Sequence, residues 1–362
     1  MRVLPVDDSR SLPPLEATRS AARARLGRVL TEVALVILVP CACLVACGIW
    51  DADLASGLLS TPPKGSKQHS IPVTDAVRLD HDTALTVQLH GRLRFWSFSS
   101  SSPVGEIQSR IPETCSTAYS PTQNLLAVGS FGGQIEIWDL NHPGGPVSMH
   151  DPDLCMITDC QFTPDGKKLF TSSSSGHIIA WDPQTLARLE TWRPPGPVQT
   201  VRTLAISLDG KRLLAGTFSG QVQVWDLHTG RPLHTHQVTV PSADIPHGAL
   251  SIEYVSFGPR DHEFIAASRG HGAGVWDIHT GACLRQFKGI ASPLRTGATS
   301  PDGQRFAAGL TDGSVVTWDT TTGQQIGTVL SHPSSVKTLL FQADGKALLA
   351  GDWDGQVYFH RD

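Results

Sequence analysis

"PDGQRFAAGLTDGSVVTWDTTTG", residues 301–323, sets a Trp-Asp pair between two small polar turns. Its counterparts lie in the same chain: "PTQNLLAVGSFGGQIEIWD" from Pro121, "PDGKKLFTSSSSGHIIAWD" from Pro164 and "LDGKRLLAGTFSGQVQVWD" from Leu208. A pair that recurs in this way is architecture before it is chemistry. Turn residue and aromatic stand 17 residues apart from Pro121 to Trp138, Pro164 to Trp181, Leu208 to Trp225, Pro259 to Trp276 and Pro301 to Trp318. Leu79 to Trp96 keeps the spacing without the Asp, and Ala343 to His360 keeps it without the Trp, which makes seven units.

Each unit spells strands. Ser300-Pro301-Asp302-Gly303 suits a type I turn between two extended runs. Thr311-Asp312-Gly313 makes a second turn before "SVVTWD", whose β-branched residues and Trp favour a packed pleated surface. A third turn follows at Thr229-Gly230, Thr280-Gly281 and Thr322-Gly323. The unit is a four-stranded antiparallel meander, and a lone sheet of that size cannot cover both its faces. Seven of them must stack, and radial closure disposes of the exposed faces and most of the edges.

These residues resemble the tryptophan-aspartate repeat family over about residues 70–362, and the resemblance implies a seven-bladed, all-β propeller with a central channel. In that family a His, a Ser or Thr, a turn Asp and the Trp form a buried hydrogen-bonded set. Here the turn Asp survives only as Asp312 and Asp354, with His90, Gly132, Ser175, Ser219 and Gly270 elsewhere. No blade carries the whole set, so apolar packing is expected to supply most of the stability.

The first 65 residues differ in kind. Residues 1–28 form a cytoplasmic, disordered segment with six arginines and three acidic residues, and Val33–Trp50 runs for 18 residues without a charge. Residues 29–50 are read as one transmembrane helix, the lower limit of length for a span, and 51–65 as a linker to the propeller, 66–362. Arg19, Arg23, Arg25 and Arg28 before the run keep the N-terminus in the cytoplasm and send the propeller outside. The rival reading takes Leu44-Val45-Ala46-Cys47 as a lipoprotein signal with Cys47 lipidated. The chain stops at the third strand of the seventh blade, and the missing fourth strand is expected from Ser66–Val73.

Chemistry is thin. There is no Gly-rich phosphate loop and no Gly-x-Ser-x-Gly elbow. His234 and His236 share a strand face, yet two ligands make no closed metal site. With 29 basic and 33 acidic residues and no basic stripe, nucleic acid is not an expected partner, and neither is a cofactor or metal. Cys155 and Cys160 could form a disulfide, although Cys160 falls at an inward strand position and reads as a small core residue.

What remains is a surface. The residue seven before each anchor lies in the turn between second and third strands, and the column reads Leu89, Phe131, Ser174, Phe218, Arg269, Thr311 and Trp353. In the family that turn opens on the top face, where residues beside the turn Asp contact partners. Aromatics and Arg are enriched among interface hot spots, so Phe131, Phe218, Arg269 and Trp353 are the candidate partner-binding residues; the competing reading packs the aromatics over neighbouring blades. The longest gap between anchors, 51 residues from Trp225 to Trp276, places an extra loop, Thr239–Leu250, on the same face. The expected function is a membrane-anchored, non-catalytic scaffold, a monomeric propeller that binds proteins. The alternative is an extracytoplasmic propeller enzyme or small-ligand binder working at the channel mouth.

Overall fold

The computed structural model describes residues 71–142, 144–151, 153–195, 199–238, 250–270, 272–329 and 332–361. The segments 1–28, 29–50 and 51–65, Cys47 within them, Ser66–Ser70 of the expected closing strand and residues 239–249 of the long loop lie outside the described residues. No helix among the described residues is long and apolar enough to cross a membrane.

Seven antiparallel sheets follow one another along the chain, and in each the strands pair in sequence order. Six have four strands and the seventh three, among the described residues. The inner strands, one per blade, are Val73–Arg78, Thr114–Ser120, Ile157–Phe162, Val201–Ile206, Ile252–Phe257, Leu294–Thr299 and Val336–Phe341. The second strands are buried along almost their whole length, as in Leu125–Ser130 and Glu263–Ser268, while the outer strands are largely exposed, as in Pro232–Gln237. That gradient is what radial stacking requires, since a second strand is covered on both faces by neighbouring blades.

Apolar burial is divided accordingly. Among the described residues there is one buried cluster at every blade junction, seven in all. Cys160 is fully buried in the cluster between blades 2 and 3, beside Ile157 and Trp181, and no disulfide joins it to Cys155. The junction of blades 7 and 1 closes the ring with Ala84, Trp96 and Phe98 against Ala347 and Leu349, and Phe359 meets Phe98 edge-on at 5.6 Å. The Arg361 guanidinium reinforces it with bonds to the carbonyls of Phe98 and Ser99, 2.5 and 2.8 Å. Val73 is not part of a closing strand as expected: it opens the inner strand of blade 1, where its side chain packs against Gly351 of blade 7.

The Trp-Asp pair now has its physical meaning. Trp181, Trp276 and Trp318 are among the largest fully buried side chains, and the Asp that follows caps its own turn. Asp226 Oδ1 accepts the backbone N–H groups of His228 and Thr229, Asp277 those of His279 and Thr280, and Asp319 those of Thr321 and Thr322. These bonds hold the three carboxyls below their ordinary range. Of the hydrogen-bonded set that the resemblance implies, the described residues show fragments. Trp96 and Trp181 donate to Thr86 and Thr171 at 2.8 and 2.9 Å, whereas Asp312 serves only Ser314 in its own turn. In blade 7, His332 Nε2 lies 3.2 Å from Nε2 of His360, the residue at the anchor position.

Candidate partner-binding face

The seven residues of the turn column hold one backbone pose. Leu89, Phe131, Ser174, Phe218, Arg269, Thr311 and Trp353 each donate their N–H to the carbonyl just before the inner strand of their own blade: Pro72, Glu113, Met156, Thr200, Ser251, Pro293 and Ser335, at 2.9–3.1 Å. These turns therefore ring one end of the channel, called the top here. They pack tightly against the connections between blades: a Cβ on Gly176 or Gly220, both at positive φ, would lie 2.7 Å from Gln199 O or 2.9 Å from Leu250 O. Leu250, the described end of the long loop, thus sits at the top turn of blade 4.

Phe131, Phe218, Arg269 and Trp353 are all half-buried. They are neither fully open nor folded into the junction clusters, since Phe131 and Phe218 belong to none of the seven. The Trp353 ring lies under the Lys337 ammonium at 4.3 Å, and Arg269 Nε stands 3.5 Å from Glu253. The structure brings Arg269 and Trp353 into contact with a second ring of residues that the sequence reading did not single out.

That second ring is made by bulges. The pairing of every inner strand with its neighbour skips one residue near the start, and the skipped residues are Thr74, Cys115, Thr158, Arg202, Glu253, Arg295 and Lys337. A bulge re-aims a side chain out of the ladder, which brings the skipped residue and the one after it towards the next blade. In blades 1–3 the side chain is short and seals a carbonyl of the next inner strand: Thr74 donates to Thr114 O at 3.0 Å, Cys115 to Ile157 O at 2.9 Å and Thr158 to Val201 O at 2.5 Å. In blades 4–7 it is long and charged. Arg202 reaches Glu253 at 2.7 Å, and Arg269 approaches the same carboxylate. Arg295 is 8% exposed.

One residue deeper, Asp75 and Asp159 act as staples. Asp75 takes the N–H of Ala76 and, from the next blade, of Thr117 at 2.7 Å; Asp159 takes those of Cys160 and Leu204. Burial, and then the charge of Asp159, push the Asp75 carboxyl up to about 8, and burial lifts Asp159 to about 6. Burial also raises the Cys115 thiol well above its usual range.

The comparisons with known proteins fit this geometry. Residues 108–139 and 147–182 match the WD domain, G-beta repeat, and residues 189–359 match the outer membrane protein assembly factor BamB. The guanine nucleotide-binding protein subunit beta of Solanum tuberosum is 25% identical over 284 residues, 73% of either chain. Its counterpart in Oryza sativa subsp. japonica is 26% identical over 286 residues, 74% of this chain and 62% of that one. Periodic tryptophan protein 2 of Arabidopsis thaliana is 25% identical over 269 residues, 74% of this chain and 24% of its own length. The chain is an all-β, seven-bladed propeller, similar in sequence to WD-repeat proteins.

Among the described residues of the propeller, no group of three or more His, Cys, Asp and Glu side chains could hold a metal. His234 and His236 stack at 5.7 Å, but His236 Nε2 is taken by Ile278 O at 2.8 Å. The bulge ring was there to be found: its members stand 23 residues before the anchor in six blades and 22 in the first.

Proposed function

We propose that the chain is a membrane-anchored, non-catalytic scaffold whose propeller offers its top rim to partner proteins outside the cytoplasm. One observation carries the reading: seven equivalent turns hold Phe131, Phe218, Arg269 and Trp353 in the same backbone pose around the channel mouth. Rigid presentation of half-buried aromatics and Arg is how a surface reduces the ordering cost of binding. The relatives named as guanine nucleotide-binding protein subunits support a role in assemblies.

Affinity capture from detergent-solubilised membranes, with the full-length chain as bait, tests the rim. Phe131→Ala, Phe218→Ala and Trp353→Ala should each weaken capture by about tenfold or more, since a hot spot is worth about 2 kcal/mol, while the purified variants stay folded. Folded variants that keep every partner of the parent chain would move the site elsewhere, and the Thr239–Leu250 loop is then the next segment to delete.

Anchoring is tested separately. A reporter active only outside the cytoplasm, fused after residue 362, should be active, and deletion of residues 29–50 should release a soluble propeller. Intact mass distinguishes the two anchors. A chain that keeps Arg19–Arg28 supports the helix, whereas a chain cut before Cys47 and carrying lipid supports the lipoprotein reading. Activity of a cytoplasm-only reporter at the same fusion point would overturn the orientation.

A further inference from the structure

Residues 63–72, "PKGSKQHSIP", repeat residues 103–112, "PVGEIQSRIP", at five of ten positions: Pro63 with Pro103, Gly65 with Gly105, Gln68 with Gln108, Ile71 with Ile111 and Pro72 with Pro112. The second passage is the outer strand of blade 1, Ser102–Gln108, and the start of the connection that follows it. That strand lies on the third strand in a fixed register, with Pro103 opposite the anchor Trp96, Gly105 opposite Phe95, Ile107 opposite Leu93 and Gln108 opposite Arg92. A Pro is tolerated near the start of an edge strand, where its missing N–H breaks no ladder. Gln108 closes the strand by donating to His90 O in the top turn at 2.8 Å, as Gln237 does to Ser219 O in blade 4 at 3.1 Å.

Blade 7 has a place for such a strand. Among the described residues its sheet ends at Val357–Arg361, while each of the other six carries a fourth strand beyond its third. Val357, Tyr358, Phe359 and His360 are only half-buried, whereas Ile178–Trp181 and Val222–Trp225, the same positions in blades 3 and 4, are buried throughout. Ile71, the first described residue, lies at the top of this edge. A Cβ on Gly355 would run into its carbonyl oxygen, as one on Gly91 would meet Ile111 O at 3.0 Å and one on Gly220 would meet Leu250 O at 2.9 Å. Ile111 and Leu250 follow the outer strands of those same blades, Ser102–Gln108 and Pro232–Gln237. Ile71 therefore stands where a chain stands after leaving an outer strand, and the residues before it are Pro63–Ser70.

We infer that Pro63–Gln68 docks on the edge of Val357–Arg361 as the outer strand of blade 7, with Pro63 opposite His360, Gly65 opposite Phe359, Lys67 opposite Val357 and Gln68 opposite Gln356. The register is that of blade 1, carried over from anchor to anchor. The composition suits the outermost position, since Lys64 and Lys67 discourage pairing with another chain and Pro63 stands at the start. The strand runs from the end of the Trp-Asp turns towards the rim, so the chain before residue 63 reaches the propeller at the end opposite the rim and leaves the rim open to partners. That consequence rests on the rim being the binding face, whereas the pairing itself does not.

The full-length chain in detergent, carrying Lys67→Cys and Val357→Cys, is oxidised with diamide, and the linked peptides are read by mass spectrometry. Residues directly opposite on paired strands are close enough for a disulfide, so most chains should carry an internal link between positions 67 and 357. Ser60→Cys with Val357→Cys is the control. Position 60 lies about 20 Å further along an extended chain and should link about tenfold less. Replacing Pro63–Gln68 by a Gly-Ser repeat of equal length should lower the thermal midpoint by several degrees and speed amide exchange in Val357–His360. The inference is overturned if no link between positions 67 and 357 forms in a variant that melts like the parent chain, or if the Ser60 pair links as readily. It is overturned too if the link joins two chains, which would give the edge to a second copy. A Gly-Ser variant that keeps the midpoint and the exchange protection of the parent would likewise overturn it, leaving the edge to a partner's strand or to water. Partner capture by the rim variants reads the binding face by itself, so the closing strand and the scaffold can fail separately.

Discussion

Trp225→Ala is expected to lower the unfolding free energy by about 3–5 kcal/mol, the usual cost of emptying a large aromatic site in a packed core. The indole is 2% exposed and stacks on Trp192 of blade 3 at 5.5 Å with planes 11° apart, so its loss opens a cavity at the junction between two blades. In a ring of repeats each blade is stabilised by its neighbours, and damage at one junction is felt by both. The thermal midpoint should fall by on the order of 10 °C. A finer comparison separates packing from hydrogen bonding. The Trp225 indole N–H is buried with no hydrogen-bond partner, while that of Trp181 donates to Thr171 at 2.9 Å. Trp181→Phe should therefore cost about 1 kcal/mol more than Trp225→Phe, the net worth of one such bond. Melting curves of purified proteins decide both points. If Phe131→Ala, Phe218→Ala and Trp353→Ala unfold as readily as Trp225→Ala, the rim aromatics are packing residues and the binding role proposed for them fails.

How much of this was legible beforehand follows from what each feature depends on. The blades were readable because a constant 17-residue spacing fixes turn, strand and anchor together, and burial of one strand face forces the register. The position of the rim column was readable but its environment was not, since half-burial of Phe131 and the ring of Trp353 under Lys337 depend on the neighbouring strand. The bulge ring was missed for a different reason. A bulge is a backbone event: its position repeats with the blades, but its occupants here, Thr, Cys, Arg, Glu and Lys, share no chemistry that would mark that position as one ring. Val73 was assigned one strand too early because an apolar residue after Pro72 suits the end of an outer strand as well as the start of an inner one. Its contact with Gly351 across the ring is what decides between them.

The second large effect is a dependence on pH that runs opposite to ordinary carboxylate behaviour. Asp75 has an ordinary carboxyl value of 3.8 when unfolded and about 8 in the fold, where burial first and Asp159 second disfavour its charge. Between those values the folded chain holds a proton that the unfolded chain has released. Stability therefore falls as pH rises through that window and levels off above about 8, with a limiting slope of about 1.4 kcal/mol per pH unit for one group. Asp159 acts in the same direction, but only up to about 6. His332, lowered to about 4 by burial and then by His360, acts in the opposite direction below its ordinary 6.5, because the folded chain there lacks a proton that the unfolded chain carries. The window from about pH 6.5 to 8 is left mainly to Asp75. Denaturant unfolding across it should show the propeller losing on the order of 1–2 kcal/mol with rising pH. Asp75→Asn should flatten that slope. Its offset is a separate matter, since an amide keeps one acceptor but turns a donor towards either the Ala76 or the Thr117 N–H, at a cost of about 1–3 kcal/mol at every pH. The slope, not the offset, is diagnostic. A variant that retains the parent slope between pH 6.5 and 8 would show that Asp75 is ionised in the folded ring, its two backbone N–H bonds outweighing the burial that surrounds them.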